Sequence, residues 1–225
     1  IALIVFHIVA NLIWIILNNQ PPTWDAGLHT VLSLKIYESF KSLLTVSVYY
    51  PPFVHLVGAL LVFIFGYSVK AIQFTGTIFL GITIFFIYLY TKELFKSEKI
   101  AFFSALFFSF FITIYEQSRY HMLDIPLTAM VFASLYFLER SNNFLNKKFT
   151  FLFFIFLALT TLTKWYGLVF IIIPLIFNLF RLIVNKFDIK NALKNILIGI
   201  FILFLLVLPW YIVNFESLFK IAFYS

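Results

Sequence analysis

Three polar clusters in this chain hold residue types that could do chemistry. The first contains Asp25 and His29, four residues apart, which share a helix face if a helix begins by Trp24. The second runs Glu116-Gln117-Ser118-Arg119-Tyr120-His121-Met122-Leu123-Asp124. The third is Lys164, followed by Trp165 and Tyr166. Together they supply two carboxylates with arginine, lysine, tyrosine and histidine. A positioned carboxylate can take the proton of an attacking hydroxyl. Arginine and lysine can hold a phosphate and stabilise it as it departs. The combination suits transfer from a phosphate-activated group. Each residue also has an ordinary use: Asp25 and Asp124 as helix caps, Arg119 and Lys164 as snorkelling cations, His29 as an interfacial polar group. Ionisable groups crowded between apolar segments are nonetheless functional candidates.

The elements that must position these residues are set by composition. Of 225 residues, 63% are hydrophobic and 11% charged, with a mean hydropathy of +1.04. A soluble domain is about 45–50% apolar and about 25% charged. The chain therefore reads as an all-α, polytopic transmembrane bundle in a lipid bilayer. Continuous apolar runs exclude a porin-like barrel, whose strands alternate. With no cysteine, there is no disulfide framework or thiolate metal site. The net charge of +7 fits basic membrane loops better than a nucleic-acid surface. His29, His55 and His121 could ligate a divalent metal, although spacing alone leaves their geometry open, and no other cofactor is indicated.

Apolar segments fall at Leu3–Leu17, Pro51–Gly66, Ala71–Tyr90, Ile100–Tyr115, Ile125–Leu138, Phe149–Thr163, Tyr166–Phe180 and Asn195–Val213. Several are shorter than the ~20 residues a span needs, as expected for helices that stop at a protein-lined cavity. Phe149–Phe180 is too long for one span and predicts two helices turning at Lys164, Trp165 and Tyr166. Val31–Leu44 predicts an amphipathic surface helix. Ten of the 16 basic residues sit in three loops, around Lys92–Lys99, Arg140–Lys148 and Arg181–Lys194. The positive-inside rule makes those loops cytoplasmic. Glu116–Asp124, Lys164–Tyr166 and the stretch after Asn214 then face outward, with Trp165 and Trp210 near the outer boundary. Whether Asp25 shares that side depends on Pro51–Gly66, which either spans the membrane or re-enters it. The apolar run opening at Ile1 and the stop at Ser225 suggest part of a longer chain.

The order of motifs resembles the integral-membrane GT-C glycosyltransferases, nearest to the protein O-mannosyltransferase and lipid A aminoarabinose transferase group. Trp24-Asp25-Ala26-Gly27-Leu28-His29 resembles the first-loop acidic motif, and Tyr49-Tyr50-Pro51-Pro52-Phe53 the Pro-Pro-Leu motif. Ser118-Arg119-Tyr120-His121-Met122-Leu123-Asp124-Ile125-Pro126-Leu127 resembles the second-loop motif. Leu162-Thr163-Lys164 with Gly167, and Leu208-Pro209-Trp210-Tyr211, resemble later landmarks. The resemblance implies about seven spans, juxtamembrane helices in a first extracytoplasmic loop over residues 18–70, and a re-entrant Pro51–Gly66. Residues 1–225 would form the N-terminal catalytic module. It further implies an inverting transfer from a polyprenyl-phosphate sugar to a hydroxyl acceptor, on the extracytoplasmic face of a prokaryotic cell membrane. Asp25 takes the position of the general base and Asp124 that of the second acid, holding Arg119 and His121. Arg119 and Lys164 match positions near the donor phosphate, and His29, Tyr50 and His121 are substrate-side candidates. Ala26 stands where many members have a second acid, and Tyr50 where some have a basic residue. A transporter or lipid flippase is the alternative on broken helices alone, but the two halves show no convincing internal repeat.

Overall fold

The computed structural model describes residues 1–185 and 187–224. Among these, ten α-helices and two short 3₁₀ turns account for the regular structure. α1 is Ala2–Leu17, α2 Trp24–Glu38, α3 Phe53–Phe65, α4 Val69–Phe95 and α5 Glu98–Phe110. α6 is Ile112–Gln117, α7 Asp124–Arg140, α8 Lys147–Thr163, α9 Val169–Val184 and α10 Ile189–Tyr224. Serine and asparagine set several starts. Ser68 caps α4 through Lys70 N–H, and Asn146 caps α8 through Phe149 N–H. The run from Ile100 to Tyr115 is not one helix. Phe111 adopts an extended conformation (φ −62°, ψ 125°) and separates α5 from α6.

α7 lies at the centre, packed against α4 on one side and α8 on the other. One apolar core, built on Val54, Phe79, Leu80, Ile84 and Ala129, joins α3, α4 and α7. A second, built on Leu138, Phe144, Phe153, Ile171 and Ala192, joins α7, α8, α9 and α10. The outer faces of α9 and α10 leave large apolar side chains such as Ile173 and Phe201 uncovered. On a protein this apolar, lipid is the solvent for those faces.

Three stretches are long and apolar enough to cross a membrane: Val69–Phe95, Trp165–Val184 and Ile189–Lys220. Helix length therefore does not carry the expected count of about seven. α1 has 16 residues and α7 and α8 have 17 each, so they measure only about 24–26 Å. The expected break at Lys164 is present. α8 ends at Thr163, Lys164 is extended (φ −145°, ψ 132°), and a 3₁₀ turn over Trp165–Leu168 leads into α9.

α3 starts and ends at one end of the bundle. Its first turn carries His55, which bonds to His29 of α2. Beyond its last turn, α4 begins beside the end of α1, where Lys70 Nζ donates to the Ile16 carbonyl at 2.6 Å. α3 therefore does not cross to the far end, as the re-entrant alternative requires. One expectation needs correction. The first-loop helix is Trp24–Glu38, not Val31–Leu44, because Pro21-Pro22-Thr23 starts it early and Ser39 turns extended. Trp210 is buried against protein, and Asn214, one turn on, donates to the Leu44 carbonyl of the first loop.

Candidate active site at one end of the bundle

The first and second polar loops meet at the same end. Thr23 opens α2 in an extended conformation and places Asp25 in its first turn. There free backbone N–H groups favour a carboxylate. Asp25 is exposed. One turn on, His29 is buried, and its Nδ1 lies 3.0 Å from His55 Nε2. The ring of Tyr50 packs edge-on against His29 at 4.7 Å between centroids. Ser33, a further turn along α2, sits 2.8 Å from His121 Nε2. That contact ties the second loop to the first.

Two glycines make this closeness possible. A Cβ on Gly58 of α3 would lie 2.6 Å from Ser33 Oγ and 3.1 Å from the His121 ring. A Cβ on Gly76 of α4 would lie 2.3 Å from the Tyr120 carbonyl oxygen and 2.8 Å from that of Ser118. The second loop can rest on α4 only because that helix has no side chain there. Thr77, one residue on, donates to the Ser118 carbonyl at 3.2 Å.

Asp124 begins α7, and its Oδ1 accepts from Lys164 Nζ at 2.6 Å. Residues 40 apart in sequence thus close the site from the third polar cluster. Burial pulls the Lys164 proton affinity down, but its bonds to Asp124 and Tyr166 outweigh this and raise it overall. Lys164 is a permanent cation. Asp124 was expected to hold Arg119 and His121; it holds Lys164 instead, because those two side chains point to other helices.

The His29 ring feels Asp25, Asp124 and Lys164 together, which places all four groups in one electrostatic neighbourhood. Burial is the largest influence and lowers the His29 pKa to about 4, against the pull of the two carboxylates. His121 is fully enclosed, and burial, followed by the neighbouring histidines, holds its pKa well below the ordinary value. Both imidazoles are neutral near pH 7. His121 is sealed from substrate and serves as a strut between loops.

Arg119 faces a different way, toward α1. Its Nε donates to Asn11 Oδ1 at 3.2 Å, and its guanidinium lies 4.1 Å from the Tyr115 ring centroid and 5.3 Å from that of Trp14. Asn11 is oriented in turn by Ser118, whose Oγ accepts from its Nδ2 at 2.8 Å. No carboxylate pairs with Arg119 among the described residues. Two cavities of about 430 and 400 Å³ open beside it, lined by Ile13, Leu17 and Asn18 on one side and by Ile112, Glu116 and Tyr120 on the other. Arg119 and Lys164 therefore do not form one clamp; each has its own neighbours.

The histidines do not present a metal site. His29 Nδ1 is committed to His55 and His121 Nε2 to Ser33. Among the described residues no three His, Cys, Asp or Glu side chains are arranged to hold an ion. The structure also adds Asn11 and Ser33 to the residues around the site, and makes His55, a candidate metal ligand in the sequence, a hydrogen-bond partner of His29. Asn11 left a trace in the sequence, as an amide inside a largely apolar helix. Ser33 left none that distinguished it from an ordinary helix residue.

Against models of known families, residues 70–225 match the one described as dolichyl-phosphate-mannose-protein mannosyltransferase. The matched region contains Arg119, Asp124 and Lys164 and begins after Asp25, His29 and Tyr50. No curated protein and no solved structure gives a significant match.

Proposed function

Because the chain belongs to the dolichyl-phosphate-mannose-protein mannosyltransferase family, we propose that it moves a sugar from a polyprenyl-phosphate donor to a hydroxyl acceptor, with inversion, at the extracytoplasmic face. Membership makes it a membrane glycosyltransferase of mannosyltransferase type. The donor, the acceptor and the residue roles are our reading. The observation that carries it is the meeting of Asp25 and His29 with the Asp124–Lys164 pair at one end of an apolar bundle. The sidedness rests on the basic loops, which lie away from this end and take the cytoplasm by the positive-inside rule.

In this mechanism the acceptor hydroxyl oxygen attacks the sugar's anomeric carbon from the face opposite the lipid phosphate. The bond from that carbon to the phosphate oxygen breaks as the new glycosidic bond forms. Asp25, in the first turn of α2, takes the hydroxyl proton. The lipid phosphate leaves with both electrons of the broken bond. Lys164, held by Asp124, is the cation of this neighbourhood available to stabilise it, and Arg119, held by Asn11, is a second cation on the α1 side of the same end. The polyprenyl chain would lie along apolar surface such as Ile13 and Leu17 beside Arg119.

The test is an assay of the full-length protein in lipid nanodiscs. It is offered polyprenyl-phosphate mannose or a nucleotide-linked mannose, with a peptide bearing serine and threonine. Mannosyl-peptide and free polyprenyl phosphate should appear in equal amounts from the lipid donor alone. Transfer from the nucleotide sugar without the lipid donor would overturn the reading.

A further inference from the structure

The paired imidazoles of His29 and His55 have a direction. Between His29 Nδ1 and His55 Nε2, 3.0 Å apart, one nitrogen must donate and the other accept. His55 is 0% accessible, and its Nδ1 is buried without a partner in full hydrogen-bonding geometry. The backbone acceptor that acts on this ring is the Pro51 carbonyl, four residues back. An oxygen there favours a hydrogen on His55 Nδ1, since two lone pairs would otherwise face each other in a sealed pocket. His55 Nε2 is then the acceptor, and His29 Nδ1 carries the hydrogen. In a neutral imidazole the other nitrogen, His29 Nε2, is left bare. Among the described residues it has no hydrogen-bond partner, and His29 keeps 3% accessibility where His55 and His121 keep 0%.

We propose that His55 is a positioning residue that locks His29 in the tautomer whose bare Nε2 accepts a hydrogen bond from a substrate hydroxyl beside Asp25. The proposal rests on the glycosyltransferase reading for the identity of that hydroxyl. It is the nucleophilic hydroxyl of the acceptor or a ring hydroxyl of the donor sugar; both offer the same O–H donor. The surroundings fit this use. Tyr50 walls one side of the His29 ring, and the Asp25, Asp124 and Lys164 charges are within its field. Gly58 lets α3 approach α2 closely at this level. A second partner that sets a histidine's tautomer is worth about 10–100-fold in affinity or activity where this has been tested at metal sites.

The experiment uses the full-length enzyme in nanodiscs, labelled with ¹⁵N-histidine, and asks which nitrogen of His29 is protonated. Nδ1-protonated His29 is expected in the wild type, and a mixture of tautomers in His55→Phe. Turnover should fall about 10–100-fold in His55→Phe and largely return in His55→Gln, whose amide oxygen can accept from His29 Nδ1. A rise in KM confined to the acceptor assigns the acceptor hydroxyl, and one confined to the donor assigns a sugar hydroxyl. An Nε2-protonated His29 in the wild type would overturn the proposal without any variant being needed. So would full activity in His55→Phe, or lost activity with the His29 tautomer unchanged. If the wild type transfers no sugar from any lipid donor, the functional reading fails, while the spectrum still decides whether the lock exists.

Discussion

The Arg119 guanidinium is held by rings and an amide, and among the described residues no carboxylate pairs with it. That leaves its terminal nitrogens for an anion. Arg119→Ala is expected to weaken binding of a polyprenyl-phosphate sugar roughly ten- to a thousandfold, as loss of a charge-assisted phosphate contact implies. Asn11→Ala removes one bond to the cation and should cost about tenfold. Titration of donor into the purified full-length protein reads both. Unchanged affinity in Arg119→Ala would remove it from the donor site. His29 makes a separate prediction about pH. Its folded pKa of about 4 lies below the ordinary 6.5, so between those values the unfolded chain binds the proton more readily. Stability from the neutral ring is fully present above pH 6.5 and falls as pH drops toward 4. Thermal unfolding should shift down across that window, and the shift should shrink in His29→Gln. An equal pH dependence in the variant would assign the effect to other groups.

The element that decides the site's geometry is α4 under the second loop. Gly76→Ala places a methyl against two backbone carbonyls that no rotamer change can move. The loop or the helix must shift, at about 1–3 kcal/mol or more. We expect a lower melting temperature and weakened cross-loop contacts, whereas Gly81→Ala meets only a side-chain methyl of Ile4 at 3.3 Å and should be tolerated. Equal stability of the two variants would show that the loop does not rest on α4 as described. At this scale the readable features were those with local causes. The excess length of Phe149–Phe180 and the charge of Lys164 located the break between α8 and α9. The spacing of Asp25 and His29 put them on one face of α2. Contacts across long separations were not readable, because Ser33–His121 and Lys164–Asp124, 88 and 40 residues apart, leave no periodic trace. The resemblance set Arg119 and Lys164 beside one phosphate, but only the direction of each side chain tells that they face different helices. The early start of α2 was visible as Pro-Pro-Thr, yet the later amphipathic pattern drew the expected boundary seven residues too far along.

For the molecule as a whole, a short α3 that begins and ends at one end of the bundle puts both polar loops on the same side. This sequence has no cysteine, so single cysteines at positions 25 and 124 should label from one face of the membrane and a cysteine at 147 from the other. Labelling of 25 and 124 from opposite faces would break the topology on which the mechanism depends. On this mechanism Asp25 is the base for sugar transfer at that face. Asp25→Asn keeps the size and the place in the first turn of α2 but removes basicity. Single-turnover transfer from polyprenyl-phosphate mannose by the full-length Asp25→Asn protein, with donor binding measured on the same sample, is the direct test. Donor affinity should stay near that of the wild type, and transfer should fall by about 10²–10⁴-fold. Near-normal transfer by Asp25→Asn, with Asp124→Asn inactive, would contradict that role.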